Sequence, residues 1–357
     1  MKLFDSFDLG GLELSSRVVM APLTRRRATN NNVPVNIMAE YYGQRASAGL
    51  IIAEGTSPSP NGVGYCNMPA LCNKEQMNAW RPITKTVHDN GGKIFLQVMH
   101  TGRVGHVNNL PAGANLFGPS AIAQLGEVAT YHYGKQKYSV PVSMSLEDID
   151  MAIKEFSTCA QLAIKAGFDG VEIHGAHGYL PNQFMNESSN IREDLYGGSR
   201  SNRLRFLNRI IDASINAIGE KKVGLRVSPF SYADVTENPT ELRQLYLDLV
   251  SHLNSKNLAY LHLSHMGKPY TEKFTLWKEI RELYNGVLML CGSFTMEKAE
   301  EAIQRREADL ISFGRDFIAN PDLVDRFKNN WKLMERDKEF WYTNSSRGYT
   351  DYDKYQQ

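Results

Sequence analysis

From Val171 to Tyr179 the chain reads Val-Glu-Ile-His-Gly-Ala-His-Gly-Tyr, so His174, His177 and Tyr179 fall within a single short stretch. An imidazole titrates near neutrality, donates or accepts hydrogen bonds and binds metals, whereas a phenol with an ordinary pKa of about 10 is a protonated acid at neutral pH. Packing alone does not account for such density. Gly175 and Gly178 permit a tight turn, and if His174 closes a strand, all three side chains can converge above its end. On the residues alone two plainer readings stand beside a catalytic one. The histidines could be metal ligands, although no third carboxylate or thiol lies at an obvious ligand spacing, or they could be satisfied packing groups.

Whatever these groups do, rigid elements must hold them. Short apolar, β-branched runs recur at Arg17 to Ala21, Leu50 to Gly55, Lys93 to Val98, Asp169 to His174, Val223 to Ser228, Leu258 to Ser264, Val287 to Cys291 and Asp309 to Phe313. Their interiors, such as Leu50-Ile51-Ile52-Ala53, are almost continuously apolar, as strands covered on both faces require. Between them lie helical patterns at Gln76 to Asn90, Leu146 to Ala166, Asn202 to Ile218, Thr240 to Ser255 and Met296 to Arg305, with cap signals at Ser145 and Thr295. The alternation predicts an α/β fold, a closed (β/α)8 barrel. A doubly wound open sheet is the competitor, but no Gly-x-Gly-x-x-Gly fingerprint follows the first strand.

One segment breaks the rhythm. From Gly102 to Ser143, after the third strand, Gly, Pro and aromatic residues replace the helical pattern, which predicts a β-hairpin excursion serving as a lid. The tail from about 332 to 357 is polar and Tyr-rich and is expected to pack across the barrel, leaving 1–357 as a single domain.

The bulk properties narrow the partners. The chain has 357 residues, 42% hydrophobic and 22% charged, with a formal net charge of +1. That balance suits a protein with a sizeable core and offers no global field for nucleic acid or an anionic membrane. Cys66, Cys72, Cys159 and Cys291 are scattered and read as free thiols, which fits a reducing cytoplasm. The first residues carry acids where a signal peptide needs a basic start, and no apolar run approaches the ~18 residues of a membrane span. Small molecules are therefore the expected partners, of a monomer or weak homo-oligomer.

With the strand ends laid out, the sequence resembles the old yellow enzyme family over essentially its whole length. The resemblance is carried by Ala21-Pro22-Leu23-Thr24-Arg25, by Ala53-Glu54-Gly55-Thr56 and by Gln97-Val98-Met99-His100-Thr101-Gly102-Arg103. The His174 segment continues it, running on to Asn182-Gln183-Phe184 and Tyr196-Gly197-Gly198-Ser199. Arg226-Val227-Ser228-Pro229, Gly292-Ser293-Phe294 and Phe313-Gly314-Arg315-Asp316 complete it.

The resemblance implies non-covalent FMN across the barrel top, with NAD(P)H as reductant and electrophilic alkenes as substrates. Pro22, Thr24, Gly55 and Gln97 would meet the flavin ring, and Arg226 would face the edge where reduction places negative charge. Gly292, Ser293, Phe294, Gly314 and Arg315 would hold the phosphate. His174 and His177 would hydrogen-bond the substrate's carbonyl or nitro oxygen, Tyr179 would supply the proton, and Tyr65, Met99 and Tyr342 would line the pocket. The His and His pair looks like the bacterial branch, and Thr24 in place of Cys points away from the thermophile-like one. Met99 stands where some bacterial relatives carry Trp. Two alternatives remain at this stage, a metal-dependent barrel lyase or hydrolase and a flavin-bearing ligand sensor.

Overall fold

The computed structural model describes residues 1–355 except Tyr232, Asp234, Val235 and 266–270, and the side chains of 271–274 are also left undescribed. Eight parallel strands close a barrel. They are β1 (Val18–Met20), β2 (Leu50–Thr56), β3 (Ile94–Val98), β4 (Gly170–His174), β5 (Val223–Val227), β6 (Tyr260–Ser264), β7 (Leu288–Cys291) and β8 (Leu310–Phe313). Each coincides with an expected run to within two residues or so at either end. Around them stand α1 (Asn36–Gln44), α2 (Lys74–Asp89), α3 (Leu146–Lys165), α4 (Arg200–Ile218), α5 (Pro239–Leu253), α6 (Thr271–Leu283), α7 (Met296–Gln304) and α8 (Leu323–Lys328). The cap at Ser145 is a reciprocal box. Its Oγ accepts the Asp148 N–H at 3.1 Å, and Asp148 Oδ2 accepts the Ser145 N–H at 2.9 Å.

Alternation along each strand sorts the side chains. Outward residues such as Ile51, Leu96, Val98, Val171, Ile173, Leu225 and Leu261 join the helices in one apolar core. Inward, the lower barrel is filled by Val19, Leu50, Ile52, Phe95, Tyr260, Met289 and Leu310, and Leu9 and Leu14 of a short hairpin (Phe7–Leu9 with Leu12–Leu14) join the same cluster. Gly170 and Gly224 make room for the two rings. A Cβ at either position would lie 2.5 Å from a ring carbon of Phe95 or Tyr260, respectively.

Higher up, the interior turns polar. Gln97 Nε2 donates to Glu172 Oε1 at 2.8 Å, while His262 bridges Glu172 Oε2 and Ser312 Oγ at 2.8 Å each. Burial pushes the Glu172 carboxyl up, but His262, Arg226 and Gln97 outweigh it and hold the group below its ordinary range. The upper floor thus carries a fixed anion beside a fixed cation.

The excursion after β3 contains the expected hairpin, Glu127–Thr130 antiparallel to Gly134–Lys137, with Tyr131, His132 and Tyr133 in its turn. It buttresses a neighbouring loop. Asn109 Nδ2 donates to Gly64 O at 3.1 Å and Ala129 O at 2.9 Å, and the Asn67 N–H donates to Tyr131 Oη at 2.7 Å.

The tail is fastened to the first βα loop and α1. Arg25 donates to Gly348 O at 2.6 Å, Arg27 to Trp341 O at 2.7 Å and to Phe340 O at 2.9 Å, and buried Tyr349 stacks on Tyr41 with ring centroids 4.0 Å apart. Among the described residues no helix is long and apolar enough to cross a membrane. All four cysteines are free.

Candidate active site

His174 is the last residue of β4, and the turn beyond it brings His177 and Tyr179 back over the barrel. His177 takes a left-handed φ of 57°, an unusual conformation for a non-glycine residue. Its N–H is held by Ser228 Oγ at 2.8 Å. The ring centroids of His174 and His177 lie 5.5 Å apart, and those of His174 and Tyr179 lie 4.8 Å apart. Tyr179 caps the short helix Leu180–Met185, and its hydroxyl is 3.0 Å from that of Tyr65. The three side chains anticipated from the sequence therefore meet.

Their protonation follows from their partners. Burial first, then the neighbouring charges including Arg226, draw both imidazoles well below the ordinary range, so they stay neutral at physiological pH. His174 Nδ1 accepts the Ala176 N–H at 3.3 Å, which leaves the proton on Nε2 as a donor. His177 Nε2 lies 3.1 Å from Ser264 Oγ, which also accepts from Arg226 Nη2 at 2.9 Å. A guanidinium can only donate, so the serine's own hydrogen is free for an acceptor such as His177 Nε2, the pairing that puts the imidazole proton on Nδ1.

Below this group, the floor offers a complementary set of unspent donors and acceptors. Arg226 is buried, and its Nε has no hydrogen-bond partner among the described residues. Because the Glu172 carboxylate accepts from Gln97 Nε2, the amide oxygen of Gln97 is left for another donor. Thr24, half-buried in the loop after β1, has a hydroxyl unpartnered among the described residues. Pro22 is buried beside it, and Gly55 lies against Met99, whose methyl would be 2.5 Å from a Cβ at that position.

At the ends of β7 and β8 the chain is open. The Ser293 and Phe294 N–H groups and the exposed Arg315 guanidinium have no partner among the described residues. A Cβ on Gly292 would meet nothing closer than 3.6 Å. A planar heterocycle with alternating donors and acceptors, ending in a phosphate, matches this set, and FMN is such a molecule. Cys291, 3.5 Å from Arg226 Nη2, was not singled out from the sequence. Burial pushes its thiol up, but Arg226 and His262 prevail and bring it down to about 6. The floor residues Glu172, His262, Ser264 and Ser312 were likewise missed. Their only signal was polar residues at alternate positions inside otherwise apolar strands.

The wall is less uniform. Tyr65 and exposed Tyr342 both lie near the Arg26 guanidinium, whereas Met99 is only 1% exposed and packs on Gly55. Among the described residues no three His, Cys, Asp or Glu side chains form a metal-binding group, and no observation favours a metal-dependent hydrolase.

Deeper in, His100 supplies a test of the burial argument. Burial pulls its imidazole from 6.5 to about 3. Unfolding lets it take up a proton near the higher value. Its stabilising share is therefore complete above about pH 6.5 and is lost as pH falls toward about 3, at up to about 1.4 kcal/mol per pH unit. His100→Gln is expected to remove about one proton from the pH slope of unfolding free energy between about pH 6 and about 4.5. Urea titrations across that range would show it, and an unchanged slope would contradict it.

A parallel barrel with flavin-compatible strand ends and a neutral imidazole pair beside a phenol defines a class, the barrel flavoprotein oxidoreductases. Within that class, residues 2–333 match the NADH:flavin oxidoreductase / NADH oxidase family. The chain belongs to that family, the old yellow enzymes, and is a flavin-dependent oxidoreductase.

A probable flavin mononucleotide-dependent alkene reductase of Leishmania infantum is 40% identical over 349 residues, covering 96% of this chain and 95% of that one. The 12-oxophytodienoate reductase 7 of Oryza sativa subsp. japonica is 37% identical, covering 98% and 94%. Among solved structures, the old yellow enzyme homologue from Zymomonas mobilis superposes with a TM-score of 0.93 at 39% identity, covering 99% of each chain. Morphinone reductase in complex with tetrahydroNAD gives 0.93 at 37% identity, covering 100% of this chain and 98% of that one.

Proposed function

We propose that this chain is an NAD(P)H-driven, FMN-dependent reductase of activated C=C bonds in α,β-unsaturated carbonyls, maleimides and nitroalkenes, with His174, His177 and Tyr179 as its substrate-facing groups. The observation that carries this reading is the convergence of two neutral imidazoles and a phenol above a floor containing Arg226 and Gln97. Bound FMN would supply two-electron hydride chemistry between the nicotinamide and the alkene. Thr24, Gln97 and Arg226 would hold its ring, with Pro22 and Gly55 beside them, and Gly292, Ser293, Phe294, Gly314 and Arg315 would hold its phosphate.

The remaining chemistry belongs to the protein. His174 Nε2–H and His177 Nδ1–H donate to the substrate's carbonyl or nitro oxygen and draw electron density away from the β-carbon. Such donors are already oriented by Ala176, Ser264 and Ser228, so little reorganisation accompanies the reaction. Tyr179 gives its phenolic proton to the α-carbon, and Tyr65, at hydrogen-bond distance, can return one from the solvent side. Tyr65, Met99 and Tyr342 shape the space, in one barrel unit spanning 1–357 whose excursion over 102–143 covers the mouth. The protein is expected to act in the cytoplasm as a monomer or weak homo-oligomer, with neither nucleic acid nor membrane as partner.

Visible absorption tests the proposal directly. The protein as purified should be yellow, bleach on anaerobic addition of NADPH and recolour when cyclohexenone follows. Bleaching without recolouring by any activated alkene would favour a ligand-binding flavoprotein instead. A fully folded, colourless protein that takes up no added FMN would end the flavin reading.

A further inference from the structure

Three arginines follow one another in the loop after β1, and their side chains go different ways. Arg25 spends its terminal nitrogens on Tyr41 Oη at 3.0 Å and Gly348 O at 2.6 Å, and Arg27 spends its own on Trp341 O and Phe340 O at 2.7 and 2.9 Å. Arg26, between them, turns toward Tyr65 and Tyr342. The cause is local. Buried Glu54 accepts both the Arg25 and Arg26 N–H groups on one oxygen, at 3.0 and 3.2 Å, and Arg26 adopts a left-handed φ of 60°. Few non-glycine residues occupy that region, so the turn is a strained one.

That strained turn places a guanidinium among the substrate-facing aromatics. Its carbon is 5.9 Å from the centroid of Tyr65 and 5.8 Å from that of Tyr342, and the Tyr65 hydroxyl is 3.0 Å from Tyr179. Nε donates to Cys66 O at 2.9 Å, and the guanidinium also bears on the Cys66 thiol, whose pKa burial raises and the cation draws partly back down. Neither terminal nitrogen has an acceptor among the described residues, and no described carboxylate pairs with the group. A cation whose flat fork is left free beside two aromatic rings suits an oxyanion bidentately.

We propose that Arg26 is a specificity-determining residue that binds an oxyanion, carboxylate or phosphate, carried by a pocket ligand at a point remote from the reacting bond. This rests on the ene-reductase reading. The oxyanion has two sources, a carboxylate on the alkene or the pyrophosphate of the nicotinamide dinucleotide. Cation–π contact with Tyr65 and Tyr342 holds the fork while leaving its N–H edge exposed. Arg26 sets KM for anionic ligands and leaves the proton and hydride steps to the residues already named.

Steady-state kinetics of Arg26→Gln and Arg26→Lys holoenzymes test it with two matched pairs. One is a carboxylate-bearing cyclohexenone and its methyl ester. The other is NADPH and N-benzyl-1,4-dihydronicotinamide, which lacks phosphate. Arg26→Gln should raise KM for the anionic member of at least one pair by about tenfold, with kcat and the neutral member nearly unchanged. Arg26→Lys should recover part of the loss. The pair that responds identifies the source. Equal KM changes within both pairs, or none, would overturn the role of Arg26 while normal turnover of the neutral enone left the ene-reductase reading intact. Loss of bound flavin in both variants would assign Arg26 to structure and also overturn it.

Discussion

Tyr179→Phe is expected to slow reoxidation by cyclohexenone about 10²–10⁴-fold, the range that a positioned general acid contributes. Bleaching by NADPH should change by no more than about twofold, because nicotinamide gives up its hydride without taking a proton from the phenol. The variant keeps the ring, and with it the edge contact to His174 at a centroid distance of 4.8 Å, so the geometry of the imidazole pair survives. The hydroxyl is lost, and with it the 3.0 Å partnership with Tyr65. Stopped-flow traces of each half-reaction separate the two effects. Equal slowing of both halves would contradict the proton-donor role.

Arg226→Met is the second large effect. It removes the guanidinium that the upper barrel presents to Ser264 Oγ and Cys291 Sγ, at 2.9 and 3.5 Å. If the guanidinium stabilises the charge that reduction places on the ring, its loss costs about 2.7–4 kcal/mol, as for other preorganised donors. At about 30 mV per 1.4 kcal/mol for two electrons, the flavin midpoint potential should fall by about 60–90 mV. Flavin retention should weaken too. A second readout needs no turnover. The Cys291 thiol, now near 6 because Arg226 and His262 outweigh burial, should titrate at higher pH in the variant. A potential unchanged in Arg226→Met would remove the cation from the proposed floor.

The strands were legible because burial on both faces leaves a local mark: Leu50-Ile51-Ile52-Ala53 and Val287-Leu288-Met289-Leu290 admit little but a covered strand. The turn after β4 was legible for a different reason, since two glycines between His174 and Tyr179 announce a tight bend. What stayed hidden was long-range or directional. Nothing near Arg25 and Arg27 signals that their acceptors are the carbonyls of residues 340–348, and nothing near Arg26 signals that it faces the other way. The charge balance of the floor was hidden similarly, because Glu172 and His262 approach only when distant strands close the cylinder. Met99 illustrates a third limit, since it packs on Gly55 where the register of β2 against β3 shifts between Ala53 and Thr56.

The fastening of the tail also bears on how the protein is made. Arg25 Nε reaches the carbonyl of Trp341 across 316 positions of chain, and Arg45 similarly reaches Phe317 and Ile318. A ribosome delivers the guanidiniums first and their acceptors hundreds of residues later, so the first loop waits for that much synthesis before its partners emerge. Until then the rim bearing Tyr342 does not exist. A nascent chain lacking the segment 340–348 can assemble strands, yet its entrance is completed only once that segment has emerged.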